Sequence, residues 1–193
     1  ERYFCPGEDT YLTDSIAEAV IKSTRKAAFD CMKNPDDYTA RANMMWASSL
    51  AHNGLTQCGR EFQLVVHQFE HELSGMYPKI AHGAGLAALW CSWARYVYKA
   101  NISRWLQYSA NVWNLDIDYE HPEKTIEEAI NLQEQYYVSL GMPIGLKALG
   151  VEEASLTKLA LNCSRNKTRT LTGYKPLAYD DILAIYQMAY ERG

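Results

Sequence analysis

Apolar residues recur with nearly the period of an α-helix along almost the whole chain. In the first such stretch Ile16, Ala19, Val20, Ala27 and Ala28 fall on one helix face. The alternation of apolar and polar residues that is typical of a half-buried strand is absent, and no internal repeat is visible. The pattern predicts an all-α helical bundle. Its helices are expected at about residues 15–32, 36–53, 60–76, 83–98, 103–113, 122–140, 154–162 and 179–192.

Capping and helix-breaking residues mark most of these boundaries. Asp14 or Ser15 is the expected N-cap of the first helix. Pro78 ends the third helix, and Pro122 begins the sixth, where its missing N–H is tolerated. The fourth helix, which starts at Gly83, is apolar on most faces and is therefore expected to be the buried central element.

Three of the five histidines lie within sixteen residues, at the third predicted helix and the turn after it. His67 and His71 are four residues apart and so point the same way on a helix, while His82 opens a turn that contains glycine. Glu70 and Ser74 lie nearby, so this face is either solvated or lines a cleft, because an unpaired buried polar cluster is costly. Neutral imidazole is the commonest protein metal ligand. The segment predicts half of a metal site, although on this chemistry alone incidental histidines are an open alternative.

The sequence does not match a zinc-protease motif or a cysteine metal site, and the other two histidines have structural interpretations. A zinc-protease motif would need a histidine at Gly75, and Cys58 and Cys91 have no spacing typical of metal ligands. His52 is interpreted as a structural residue at a helix end, and His121 as part of a solvated acidic loop.

Composition narrows the class of protein. The 193 residues are 48% apolar and 22% charged with a net charge of −4, which is ordinary for a globular protein and gives no basic field for nucleic acid or an anionic membrane. Five scattered cysteines without C-x-x-C pairing indicate reduced thiols and predict a cytoplasmic protein. No apolar run is long enough to predict a membrane span.

Five short motifs are spread along the chain: Asn53-Gly54-Leu55, His67-x-x-x-His71-Glu72-Leu73, Ala81-His82-Gly83-Ala84-Gly85-Leu86, Leu140-Gly141-Met142-Pro143 and Asp180-Asp181-Ile182-Leu183. Taken together, these motifs resemble the C-terminal helical domain of the iron-containing (group III) alcohol dehydrogenases, particularly their butanol dehydrogenase branch. The resemblance covers essentially the whole chain and implies the C-terminal fold of the dehydroquinate synthase-like and iron-containing alcohol dehydrogenases.

The resemblance implies reversible hydride transfer between a small alcohol or aldehyde and NAD or NADP, assisted by iron or zinc. It assigns His67 and His82 as metal ligands and His71 as a catalytic group close to substrate and nicotinamide. In the family an aspartate and a further histidine complete the metal site, and they would lie just before Glu1. An N-terminal α/β domain would bind most of the nucleotide.

Residues 1–193 are therefore expected to form a single helical C-terminal domain of a longer enzyme. The intact enzyme is expected to be a homo-oligomer, and the separate fragment is expected to be inactive. The spacing from His67 to His82 is about one residue longer than the family pattern, around Pro78 and Lys79. The alternatives are a non-catalytic helical module that binds a metal or a partner, and a purely structural bundle.

Overall fold

The helical pattern of the sequence becomes eight α-helices in a computed structural model that describes residues 1–8 and 10–192. No strand forms within those ranges, which confirms the all-α prediction; isolated bridges join Gly7 to Arg60 and Leu171 to Leu177. The α-helices are α1 (Tyr11–Lys33), α2 (Tyr38–His52), α3 (Val65–Met76), α4 (His82–Val97), α5 (Ile102–Trp113), α6 (Pro122–Ser139), α7 (Leu156–Cys163) and α8 (Tyr179–Glu191). Short 3-10 helices lie at Arg2–Phe4, Leu55–Gln57, Tyr98–Ala100, Lys147–Leu149 and Glu153–Ser155.

The largest boundary difference concerns α3, which begins at Val65 instead of near residue 60. The segment before it pairs with the N-terminal segment: the Glu61 amide donates to the Pro6 carbonyl at 2.8 Å, and Arg60 bridges to Gly7. These backbone groups are satisfied outside a helix, so α3 is shorter than its apolar pattern predicts.

The prediction that Asp14 or Ser15 is the N-cap of α1 is also wrong. The helix begins at Tyr11, so Asp14 and Ser15 lie inside its first turns. The Asp14 carboxylate instead accepts hydrogen bonds from Arg60 and Arg104, which lie far along the chain. Local sequence favours a cap at this aspartate, and tertiary ion pairing overrides that preference.

Helix α4 is the central element, as its apolar composition predicts. Ala88, Leu89, Cys91 and Ala94 are fully buried, and the helix packs against α3, α6 and α8. Within the described ranges, no helix combines the length and apolar character that a bilayer crossing requires.

An aromatic cluster fixes the N-terminal segment against the bundle. Phe4 stacks on Trp105 with ring centroids 4.0 Å apart, and Trp90, Trp93 and Tyr108 surround the pair. Both Trp90 and Trp93 are buried core residues. This packing holds the residues just before Phe4 beside α3, where the histidines lie.

Candidate metal centre

The structure brings the three clustered histidines together at the meeting point of α3 and α4. His67 and His71 lie one turn apart on α3, and His82 is the first residue of α4. The ring centroids of His67 and His82 are 5.2 Å apart, those of His71 and His82 are 5.7 Å apart, and those of His67 and His71 are 6.1 Å apart. The turn that ends α3 before Pro78 therefore returns the chain so that three imidazoles form a compact triangle.

Glu1 holds the ring of His67. One Glu1 oxygen, Oε2, lies 2.5 Å from His67 Nδ1, and the other, Oε1, accepts the Val66 amide at 2.6 Å. The same carboxylate thus satisfies an amide in the first turn of α3 and orients an imidazole on the next residue. His67 Nε2 is left as the nitrogen available to a ligand.

Glu70 holds the ring of His82 in a similar way. Its Oε2 is hydrogen bonded to His82 Nδ1, and its Oε1 accepts a hydrogen bond from the Ser74 hydroxyl. Glu70 is fully buried, whereas the His82 side chain is 49% exposed. His82 Nε2 is therefore left available at an accessible position.

His71 differs from its two neighbours. It is exposed, its ring stacks against that of His82 at an interplanar angle of 26°, and no carboxylate holds it among the residues described. Donor atoms of Glu70, His71 and His82 lie within 4.8 Å of one another, so that trio is a second grouping able to surround a cation. Because Glu70 is fully buried and hydrogen bonded to Nδ1 of the accessible His82, its arrangement is typical of a carboxylate that supports a metal-binding histidine.

The other two histidines lie apart from this triangle. His52 is the last residue of α2, which confirms its expected place at a helix end. His121 immediately precedes α6 and is exposed; its backbone amide donates to Asp118 at 2.8 Å. That hydrogen bond is the main reason why the pKa of Asp118 lies below its ordinary value. The acidic loop is therefore ordered by its own backbone.

Sequence reasoning identified the histidines but missed the roles of Glu1 and Glu70. Glu1 is 66 positions from His67, and only tertiary packing places it there. The residue in the sequence that relates to Glu70 is Gly85, because a Cβ added to that glycine would lie 2.8 Å from Glu70 Cγ. A glycine three residues into α4 thus marks the close approach of the two helices.

The donor set suits a divalent metal of borderline softness. Two imidazoles with carboxylates on Nδ1 present Nε2, which is the usual arrangement of metal-binding histidines. Fold and side chains together define a class: an all-α domain with a convergent imidazole cluster supported by buried carboxylates.

Comparison with known proteins identifies the family within that class. Residues 1–190 match the model of the Fe-containing alcohol dehydrogenase family, C-terminal. The chain belongs to this family.

Individual relatives agree with that assignment. NADH-dependent butanol dehydrogenase A of Clostridium acetobutylicum is 38% identical over 98% of this chain and 49% of its own length. The solved NADH-dependent butanol dehydrogenase A of Thermotoga maritima superposes with a TM-score of 0.89 at 30% identity, over 97% of this chain and 48% of its own. The aldehyde reductase YqhD of Escherichia coli also gives 0.89, at 26% identity over 98% of this chain and 49% of its own. The chain spans about half the length of the curated relatives it matches.

Proposed function

We propose that this chain is the metal-binding, C-terminal part of an NAD(P)-dependent alcohol dehydrogenase that interconverts a small alcohol and its aldehyde. The observation that carries the proposal is the triangle of His67, His71 and His82, with ring centroids 5.2–6.1 Å apart. Family membership supports the oxidoreductase class, and the similar proteins include NADH-dependent butanol dehydrogenases and an NADPH-dependent aldehyde reductase.

In this proposal His67 and His82 are metal ligands through Nε2. Each has its Nδ1 occupied by a carboxylate, which fixes the tautomer that leaves Nε2 free to coordinate. Iron and zinc both accept such ligands. When bound, a metal of this class polarises the oxygen of the alcohol or aldehyde.

His71 has a different role, as a catalytic residue that exchanges a proton with the substrate oxygen. Its ring is exposed and lies beside both ligand histidines, and no carboxylate fixes its tautomer among the described residues. Imidazole is the side chain that most often acts as a general acid or base, and the exposed ring of His71 lies next to the proposed metal ligands.

The rest of the enzyme supplies what these residues lack. A structural or catalytic zinc site takes at least three protein ligands, whereas this chain offers two supported imidazoles. We therefore propose that other residues of the whole protein complete the metal site and bind NAD or NADP. For the same reason we expect the 193 residues alone to bind metal weakly and to show little dehydrogenase activity.

The test compares single substitutions in the full-length protein. We expect His67→Ala and His82→Ala to lose bound metal and activity together. His71→Ala should keep the metal but lower kcat by roughly 100-fold or more, because a general acid–base group contributes about that much. Metal content after dialysis is measured by mass spectrometry, and activity by oxidation of NAD(P)H with a short aldehyde.

His121→Ala is the matched control, since this exposed histidine lies outside the triangle and should leave both measurements unchanged. Full metal occupancy in His67→Ala would overturn the ligand assignment. Bound metal without turnover of any alcohol or aldehyde by the unsubstituted protein would instead favour a non-catalytic metal-binding module.

A further inference from the structure

We infer that Glu70 is a positioning residue of the metal centre, which fixes the ring of His82 without itself binding the metal, and that Gly85 provides the space for it. The inference rests on the proposed role of His82 as a ligand. It assigns a function to a buried carboxylate and to a glycine, neither of which would contact substrate or metal.

Glu70 is buried, and its carboxylate is fully hydrogen bonded. Its side chain is fully buried on α3, and both oxygens are used, one by His82 Nδ1 and one by the Ser74 hydroxyl. A buried carboxylate is tolerated only where hydrogen bonds or charges compensate the loss of water. The two partners therefore hold the carboxylate in one orientation, and the carboxylate in turn holds His82.

The ring orientation of His82 depends on Glu70. Its side chain is 49% exposed at the first residue of α4, and Glu70 is its one hydrogen-bond partner among the described residues. Without that partner the ring could rotate and carry its proton on either nitrogen. With Nδ1–H donated to Glu70, the lone pair lies on Nε2, on the ring edge away from the core.

Gly85 leaves the space that the Glu70 carboxylate occupies. Gly85 lies three residues after His82, so it is on the same face of α4. A Cβ at Gly85 would lie 2.8 Å from Glu70 Cγ and 2.9 Å from Oε1, and the three nearest atoms all belong to the Glu70 side chain. Alanine at this position would displace the carboxylate from His82, although it removes no polar group.

A positioning role and a ligand role predict different results for conservative substitution. In Glu70→Gln the amide oxygen can still accept Nδ1–H of His82, and the amide nitrogen can donate to the Ser74 hydroxyl. If Glu70 only positions His82, Glu70→Gln should keep metal affinity within a few-fold, whereas Glu70→Ala should weaken it by roughly 10- to 100-fold. If Glu70 were a ligand, both variants would weaken binding to a similar degree.

The experiment measures the affinity of the full-length protein for Co²⁺ and Zn²⁺ by competition with a chelator. The visible spectrum of the Co²⁺ form reports the ligand set directly. Glu70→Gln, Glu70→Ala, Gly85→Ala and the double variant Glu70→Ala/Gly85→Ala are compared, with thermal unfolding as the check on folding. Glu72→Gln is the control, because Glu72 is a carboxylate on the same helix that makes no contact with His82 among the hydrogen bonds and ion pairs of the described residues.

We expect Gly85→Ala to weaken metal binding about as much as Glu70→Ala, and the double variant to bind no more weakly than Glu70→Ala alone. Such non-additivity follows because the methyl group acts only by moving a side chain that the second substitution removes. The double variant also relieves the steric clash, so it keeps the test decisive if Gly85→Ala by itself folds poorly.

The inference would be overturned by unchanged affinity in Glu70→Ala, by equal losses in Glu70→Gln and Glu70→Ala, or by additive effects of the two alanine substitutions. His82→Ala distinguishes these failures from failure of the proposed function. If His82→Ala loses the metal while Glu70→Ala keeps it, only the positioning role is wrong. If His82→Ala keeps full affinity, the ligand assignment itself is wrong.

Discussion

At the scale of single residues, the candidate centre depends on which atom of each imidazole is occupied. Glu1 lies against Nδ1 of His67, and Glu70 lies against Nδ1 of His82, whereas His71 has no such partner among the described residues. Three identical side chains thus acquire two chemical characters from their neighbours. Two have Nδ1 held by a carboxylate, whereas the third is exposed and lacks a carboxylate partner within the described ranges.

Burial separates the cysteines into reactive and protected thiols, which gives a prediction at the same scale. Burial raises the pKa of Cys91 and of Cys163 to about 12, whereas Cys58 is exposed. The thiolate is the reactive form, so at pH 8 we expect iodoacetamide to label Cys58 quickly and to leave Cys91 and Cys163 unlabelled. Peptide mapping by mass spectrometry locates the label.

Unfolding the protein in denaturant should expose the thiols of Cys91 and Cys163 and abolish their difference from Cys58. Labelling of Cys91 in the native protein at the rate of Cys58 would contradict the burial on which the prediction depends.

At the scale of helices, the backbone amides of a first turn are hydrogen bonded by neighbouring residues in one helix and by distant residues in another. The Asp37 side chain accepts the Ala40 amide at 3.1 Å and so caps α2 locally. Helix α3 has no such cap from its own N-cap residue, and Glu1 from the N-terminal segment accepts the Val66 amide instead. Formation of α3 is thus coupled to docking of the N-terminal segment.

The local cap of α2 can be tested with two adjacent aspartates. Asp37→Ala should lower the free energy of unfolding by about 1 kcal/mol, because it removes the acceptor of an otherwise unsatisfied helix amide. The neighbouring Asp36 is exposed, and its carboxylate caps no helix in the part of the chain that the structure describes. Asp36→Ala should therefore change stability by less than about 0.5 kcal/mol. Urea unfolding of both variants provides the comparison, and equal effects would show that charge, not capping, is responsible.

At the scale of the whole molecule, a buried polar network joins segments that are distant in sequence. Asp14 on α1 is 6% exposed; its carboxylate accepts hydrogen bonds from Arg60, from Arg104 at 2.7 Å and from Gln107 at 3.0 Å. Burial by itself raises the pKa of Asp14, but these hydrogen bonds and the two guanidinium charges outweigh it and hold the pKa below its ordinary value. The network connects α1 with α5 and with the segment that precedes α3.

Removing the central carboxylate should destabilise the protein strongly. We expect Asp14→Ala to lower the free energy of unfolding by about 3 kcal/mol, because it leaves buried guanidinium groups without their partner. Asp30→Ala is the control, since its ion pair with Lys26 lies on the surface and should affect stability far less than Asp14→Ala.

The pH dependence of that difference has a defined sign. Because the folded-state pKa of Asp14 is depressed, its contribution is fully present above the unfolded value of about 3.9 and is lost as pH falls through the folded value. The stability gap between the unsubstituted protein and Asp14→Ala should therefore narrow below about pH 4. A gap that widens with acid would contradict the depressed pKa.

The sequence by itself determined the helical architecture, the central place of α4 and the clustering of His67, His71 and His82. The architecture and the histidine cluster follow from periodicity and short-range spacing, which constrain residues within one helix or across one turn. The central place of α4 follows from its apolar composition.

Only the tertiary structure decided which carboxylates accompany the histidines and where two helices begin. Glu1 reaches His67 across 66 positions, Asp14 leaves its expected capping role for Arg60 and Arg104, and pairing with the N-terminal segment delays α3 until Val65. The physical reason is the same in each case. A buried polar group must find a partner wherever the packed chain offers one, and sequence distance carries no information about that choice.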